Sequence, residues 1–169
     1  MECAISDFLS NGWSSIVETG CFRGNTADGC STLILAKTAS IVGGTFVSID
    51  ISKDHLEMAR KFLAERDREV LKSTQFILSD SIIALSGLKG PIDLLYLDSL
   101  DFEEGNPIQS QVHQLAEMGS VYAKMSTGGG VLLDDFDLPH QGKCGLTPKF
   151  LEQRGARLIE KDYQLYYRL

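Results

Sequence analysis

The sequence predicts an α/β fold, a mostly parallel seven-stranded sheet between two layers of helices, closed by a C-terminal antiparallel hairpin. Three observations carry that prediction. Short apolar, β-branched runs alternate five times with segments whose apolar residues recur at helical spacing. The runs are apolar nearly throughout, as strands covered on both faces should be. Two last runs, Arg157 to Glu160 and Tyr163 to Tyr167, stand only a tight turn apart at Lys161-Asp162. That gap is too short for a crossover helix, so they must pair antiparallel at the sheet edge.

The elements follow in order. A short helical stretch, Ile5 to Leu9, comes before the first strand, Ser15 to Thr19, which ends at Gly20. Gly20 to Asn25 is a loop, and Asn25 is placed to cap a helix through Thr26, Ala27, Cys30, Leu33, Ile34 and Ala36. Gly43-Gly44 ends that helix, and Thr45 to Asp50 is the second strand. Ser52 caps the next helix, whose apolar face is Leu56, Ala59, Phe62 and Leu63. Gln75 to Asp80 is the third strand, Ile82 to Leu85 a short helix, and Ile92 to Asp98 the fourth strand. After an acidic loop, Gln109 to Met125 is a long helix with Val112, Leu115, Ala116, Val121 and Tyr122 facing the core. Gly128-Gly129-Gly130 breaks it before the fifth strand, Val131 to Asp135. Thr147-Pro148 starts a last helix, with a cap and a proline in its first turn.

Composition bounds the function. The 169 residues are 43% hydrophobic and 23% charged, ordinary for one globular domain spanning 1–169. Lys+Arg 16 against Asp+Glu 23 leaves a charge of −7, with no basic run. That argues against nucleic acid and against anionic membranes as partners. No stretch approaches a membrane span, and the first residues lack a signal-peptide layout. Cys3, Cys21, Cys30 and Cys144 form no C-x-x-C pair, so free thiols in a reducing, cytoplasmic setting are expected.

In open α/β sheets, ligands bind beyond the carboxyl ends of the strands. Here each predicted strand end carries an acid: Glu18, Asp50, Asp80, Asp98, Asp134 and Asp135. One such acid is often only a helix cap, but six on one edge point to a ligand or a metal. Gly20 and Gly24 frame the first loop, where glycine lets the backbone turn tightly against a ligand. Asp50, at the end of the next strand, is placed to take both hydroxyls of a ribose.

Val17-Glu18-Thr19-Gly20-Cys21-Phe22-Arg23-Gly24 resembles the first motif of the class I S-adenosylmethionine-dependent methyltransferases. Ile49-Asp50-Ile51, Leu78-Ser79-Asp80-Ser81 and Leu97-Asp98-Ser99 are similar to their ribose, adenine and methyl-transfer motifs. The resemblance covers Ser15 to Leu169 and implies a three-layer Rossmann-like sandwich. It implies a cofactor site of Glu18, Thr19, Gly20, Cys21, Phe22, Gly24, Asn25, Thr26, Asp50, Ile51, Asp80, Ser81 and Asp98, with Glu18 near the methionine end. A sulfonium cofactor asks mainly for alignment and a proton acceptor.

Within that family the chain most resembles the metal-dependent O-methyltransferases of catechol, caffeoyl-CoA and macrocin type. They carry one acid after the fourth strand and two adjacent ligands after the fifth, as Asp98 and Asp134-Asp135 do here. The resemblance implies Mg²⁺, which suits three carboxylates, although either acid of the pair could instead cap the loop. The catechol type has a lysine base after the fourth-strand acid; this chain has Asp101 in that loop. His140, just after the two acids, is a second candidate base. His55, His113 and Trp13 read as packing or surface residues, and Tyr163, Tyr166 and Tyr167 as strand packing. Phe22 has a choice between the core and the cofactor.

The expected activity is methyl transfer to a hydroxyl of a small molecule or sugar. The helical roof over the acceptor site is nearly absent, so the pocket is expected to be open or completed by a second copy. One alternative is a catalytically silent, methyltransferase-like binding or scaffold protein. Another is an NAD-dependent oxidoreductase, disfavoured by the lack of G-x-G-x-x-G spacing and of a Tyr-x-x-x-Lys pair.

Overall fold

The computed structural model describes residues 1–24 and 30–169. The chain runs α1 (Glu2–Ser10), β1 (Ser15–Thr19), α2 (Ser31–Ile41), β2 (Thr45–Asp50), α3 (Lys53–Arg66), β3 (Thr74–Leu78), α4 (Ser81–Gly87) and β4 (Ile92–Leu97). It continues with α5 (Pro107–Val121), β5 (Met125–Leu133), α6 (Thr147–Glu152), β6 (Arg157–Lys161) and β7 (Leu165–Arg168). The sheet order is β3-β2-β1-β4-β5-β7-β6. The first five strands pair in parallel, and β7 pairs antiparallel with both β5 and β6. The predicted α/β sandwich with its closing hairpin is therefore observed.

Strand periodicity divides the core into two layers. Ile16, Phe46, Leu94, Tyr96 and Leu132 face Ala4 and Phe8 of α1, Leu35 of α2 and Leu63 of α3. Val17, Ile49, Leu95, Leu97 and Val131 face Leu85 of α4, Met118 of α5 and Leu151 of α6. All six residues of β4, the central strand beside β1, are buried. Trp13 joins the first layer edge-on to Phe8, as its packing role predicted.

Four expectations need correction. The helix predicted from Asn25 cannot run through Cys30, whose φ of 54° is left-handed, and α2 starts at Ser31. Asn25, Thr26 and Ala27 lie outside the described residues.

The three glycines at 128–130 do not precede β5; they lie inside it. The step from Ile92 to Leu94 is matched on β5 by the step from Met125 to Gly130, an irregularity that absorbs the extra residues. A Cβ on Gly130 would meet the Tyr166 ring at 2.9 Å, so glycine there lets β7 close against β5.

The long helix α5 ends at Val121, and its inward face is not the expected apolar one. Gln111, Gln114, Glu117, Met118 and Val121 are buried, whereas Val112 is 51% exposed. The helix packs over a polar loop at one end and into the apolar core through Met118 and Val121 at the other, so hydrogen bonds and apolar packing together set its rotation.

Thr147 begins α6 without capping it, and its Oγ1 is buried with no partner among the described residues. Among those residues no helix is long and apolar enough to cross a membrane.

Candidate functional site

The chain turns from β1 toward β2 and β3 on one side and from β4 toward β5 on the other. The crevice between β1 and β4 is thus the point where strand order reverses, the usual ligand position in such sheets. Backbone hydrogen bonds continue past the strand ends, from Gly20 to Ile49, Asp98 to Thr19 and Asp134 to Leu97. They hold the terminal acids along one edge. A cavity of about 300 Å³ opens there, lined by Gly20, Asp50, Ile51, Asp80, Ser81 and His113, among others. That size is within the range of small-molecule sites.

Gly20 has a φ of 79°, and a Cβ on it would lie 2.3 Å from the Asp98 carbonyl oxygen. The first loop can approach β4 this closely only with glycine. Asp50 is 8% exposed. Its Oδ2 accepts from the Cys21 backbone N–H at 3.2 Å and its Oδ1 from the Ser52 N–H at 2.7 Å. Cys21 Sγ and His55 Nδ1 also stand 3.4 Å from its Oδ2 and Oδ1, so hydroxyls in the cavity would share or displace these two longer contacts. Asp80 caps α4 through the Ile83 N–H while also lining the cavity.

Glu18 has no exposure. Its Oε1 accepts from Thr32 at 2.7 Å and Ser48 at 2.8 Å, and the Thr32 hydroxyl in turn accepts from the Phe22 N–H. Glu18 therefore ties β1, β2 and α2 to the glycine loop. Burial is the main force pushing its carboxyl up to about 8, and the charges of Asp98 and Asp50 add to it. Thr19 is fully buried, and Gly24 has a φ of 96°. Phe22 stacks on Phe62 with ring centroids 4.0 Å apart, so it packs against α3.

Beyond β4 and β5 the acids converge. One carboxylate oxygen from each of Asp98, Asp134 and Asp135 lies within 4.8 Å of the others. By chemistry and spacing that set fits a hard cation. The sequence reading missed what stands among them. Lys143 Nζ lies 2.5 Å from Asp98 Oδ1 and 2.9 Å from Asp135 Oδ2, and the residue is 2% exposed. Burial pulls its ammonium down in pKa, but the charges of Asp98 and Asp135 overcome this and raise it. Burial pushes the Asp134 carboxyl up to about 7, helped by the charge of Asp98. Asp98 is also raised by burial, against the pull of Lys143.

The hairpin turn reaches the same crevice. Tyr163 is not merely strand packing: its hydroxyl donates to Asp135 Oδ1 at 2.7 Å. Gln164 Nε2 donates to Asp134 Oδ1 at 2.6 Å. His113 is likewise a wall of the cavity, its Nε2 within 3.1 Å of Ser81 and 3.0 Å of Ser99. A hydrogen bond with buried Glu117 raises its imidazole above the ordinary range.

The two suggested bases sit elsewhere. Asp101 is exposed and holds Arg23 through contacts of 2.7 and 2.9 Å. His140 is exposed, and it is its backbone carbonyl, accepting from Gln111, that engages the fold.

No protein-family model and no curated protein matches the sequence. Solved structures do match. The O-methyltransferase TomG from Streptomyces achromogenes, in complex with SAM, is 19% identical with a TM-score of 0.65, covering 99% of this chain and 78% of its own. An rRNA methylase from Streptococcus thermophilus is 13% identical with a TM-score of 0.58, covering 98% and 92%. NSun6 from Pyrococcus horikoshii is 17% identical with a TM-score of 0.65; it covers 91% of this chain, which spans 46% of NSun6. The chain has the fold of the S-adenosylmethionine-dependent methyltransferases. The presence of an rRNA methylase among the similar structures leaves the exclusion of nucleic acid to net charge alone.

Proposed function

We propose that this protein binds S-adenosylmethionine in the crevice between β1 and β4 and transfers its methyl group to a hydroxyl of a small molecule. The observation that carries this reading is the cavity at the reversal point of the sheet, with Gly20 at its floor and the Asp50 carboxylate in its wall. The residues fit the cofactor. Asp50 would offer acceptors to a ribose, Asp80 and Ser81 line the same cavity where the adenine would lie, and the Gly20 turn leaves the loop backbone close to β4.

S-adenosylmethionine would supply an activated methyl group, so the chain must align the acceptor and take its proton. We assign the proton to Asp98. It stands at the end of β4 beside the glycine loop, and burial raises its carboxyl above the ordinary carboxylate range, making it a better proton acceptor. Lys143 holds its Oδ1, and the Tyr96 hydroxyl makes a long 3.4 Å contact with its Oδ2. A small acceptor is favoured over a polyanion by the net charge of −7 and by the acids at this edge.

Thermal denaturation with S-adenosylmethionine, its demethylated product or NAD, each with and without Mg²⁺, tests the reading. A ligand bound only by the native state raises the melting temperature. The two adenosyl ligands are expected to stabilise the protein and NAD is not. Stabilisation by NAD alone, or by none of the three, would overturn the proposal.

A further inference from the structure

We infer that Lys143 is the resident cation of the acidic crevice, occupying the place that the three carboxylates would otherwise offer to a divalent metal, so the site works metal-free. The inference deepens the methyl-transfer reading, but it rests on the geometry around Lys143 and is tested without the cofactor.

Three features support it. Four of the six carboxylate oxygens are already engaged. Asp98 Oδ1 and Asp135 Oδ2 face the ammonium, Asp135 Oδ1 accepts from Tyr163, and Asp134 Oδ1 accepts from Gln164. A metal binding Asp98 Oδ1 and Asp135 Oδ2 at about 2.0–2.6 Å would sit against a like charge already within 2.9 Å of both.

Second, Lys143 is withdrawn from solvent, with 2% exposure, and both of its ion pairs lie on the crevice side. Third, the backbone is bent to place it. His140, Gln141 and Gly142 all have positive φ, of 58°, 67° and 51°, and Asp135 has one of 60°. Non-glycine residues persist in that region only where the surroundings enforce it. Gln111 Nε2 enforces it here, donating to the carbonyls of both His140 and Gly142 at 3.0 Å. A Cβ on Gly142 would fall 1.6 Å from the Asp135 carbonyl oxygen, so the loop is wedged against the strand that carries two of the acids. The polar inner face of α5 thus serves to seat one lysine.

The test is a Mn²⁺ titration of chelator-treated protein, read by electron paramagnetic resonance of the free ion. Wild-type protein is expected to bind no Mn²⁺ at this site. Lys143→Ala, which removes the ammonium and opens space among three carboxylates, is expected to gain one Mn²⁺ site, at least about tenfold tighter than any residual binding by wild type. Adding Asp134→Asn should remove that gain. Stoichiometric binding by wild type that Asp134→Asn abolishes would overturn the inference, and so would a folded Lys143→Ala that binds no ion. Should Lys143→Ala fail to fold, the wild-type titration decides, since it needs no variant of Lys143. Adenosyl-ligand binding, measured separately, shows whether the methyl-transfer reading fails independently.

Discussion

Replacing Glu18 by Gln isolates the energetics of the buried acid beneath the glycine loop. The wild-type carboxyl is wholly buried, and burial holds its pKa near 8 against an ordinary 4.5. The folded protein therefore keeps a proton that the unfolded chain releases. Between those two values the native state binds more protons, so stability falls as pH rises. The loss begins near 4.5 and is complete above about 8. At about 1.4 kcal/mol for each tenfold change in proton affinity, the full span is on the order of 3–5 kcal/mol.

Glutamine keeps the acceptor for Thr32 and Ser48 but cannot titrate. Its amide nitrogen would take the place of Oε2, which has no partner among the described residues. That exchange costs about 1–3 kcal/mol at every pH. Asp134, raised to about 7, contributes its own slope to both proteins, so the difference between them reports Glu18 alone. Urea denaturation followed by circular dichroism, repeated between pH 5 and pH 8.5 at fixed ionic strength, gives that difference. Glu18→Gln is expected to be less stable than wild type at pH 5 and to regain the deficit, or exceed it, by pH 8.5. A stability difference that stays constant across the range would refute the reasoning and show that Glu18 does not hold a proton in the folded protein.

Two further outcomes are expected. Asp50→Ala removes two charged acceptors from the cavity wall, each bond being worth about 1.5–3 kcal/mol, so adenosyl-ligand affinity should fall by roughly a hundredfold or more. Calorimetry with S-adenosylhomocysteine checks this, and an unchanged Kd would remove Asp50 from the site. Gly20→Ala meets a left-handed backbone and a carbonyl oxygen 2.3 Å from the new Cβ. It should cost at least about 2–3 kcal/mol and lower Tm by roughly 5–10 °C, and an unchanged thermal transition would contradict the close approach of the first loop to β4.

The sequence by itself determined the sheet and the edge at which its acids gather. Strands and helices announce themselves through local period, and β1, β2 and the start of β4 appear where the apolar runs stand. Because a strand fixes where its next residue must emerge, Asp50 and Asp98 could be placed at the edge without any tertiary information. Ser52 as the cap of α3 and the buried face of that helix were equally local. The closing hairpin followed from chain length alone, since a short turn permits only antiparallel pairing.

Only the tertiary structure decided what stands among the acids. Helical spacing placed Val112, Leu115 and Ala116 of α5 inward, but the helix is rotated to bring Gln111, Gln114 and Glu117 in. No one-dimensional pattern reports that rotation, because it depends on carbonyls from a loop some thirty residues away accepting from Gln111. The same loop turns His140 outward and Lys143 inward, although both lie a few residues past Asp135. Which of the two reaches the crevice depends on three consecutive positive φ angles, and those are stabilised by long-range contacts instead of local preference. Spacing places charges on an edge; which charges neutralise one another depends on loops whose conformation is enforced from outside themselves.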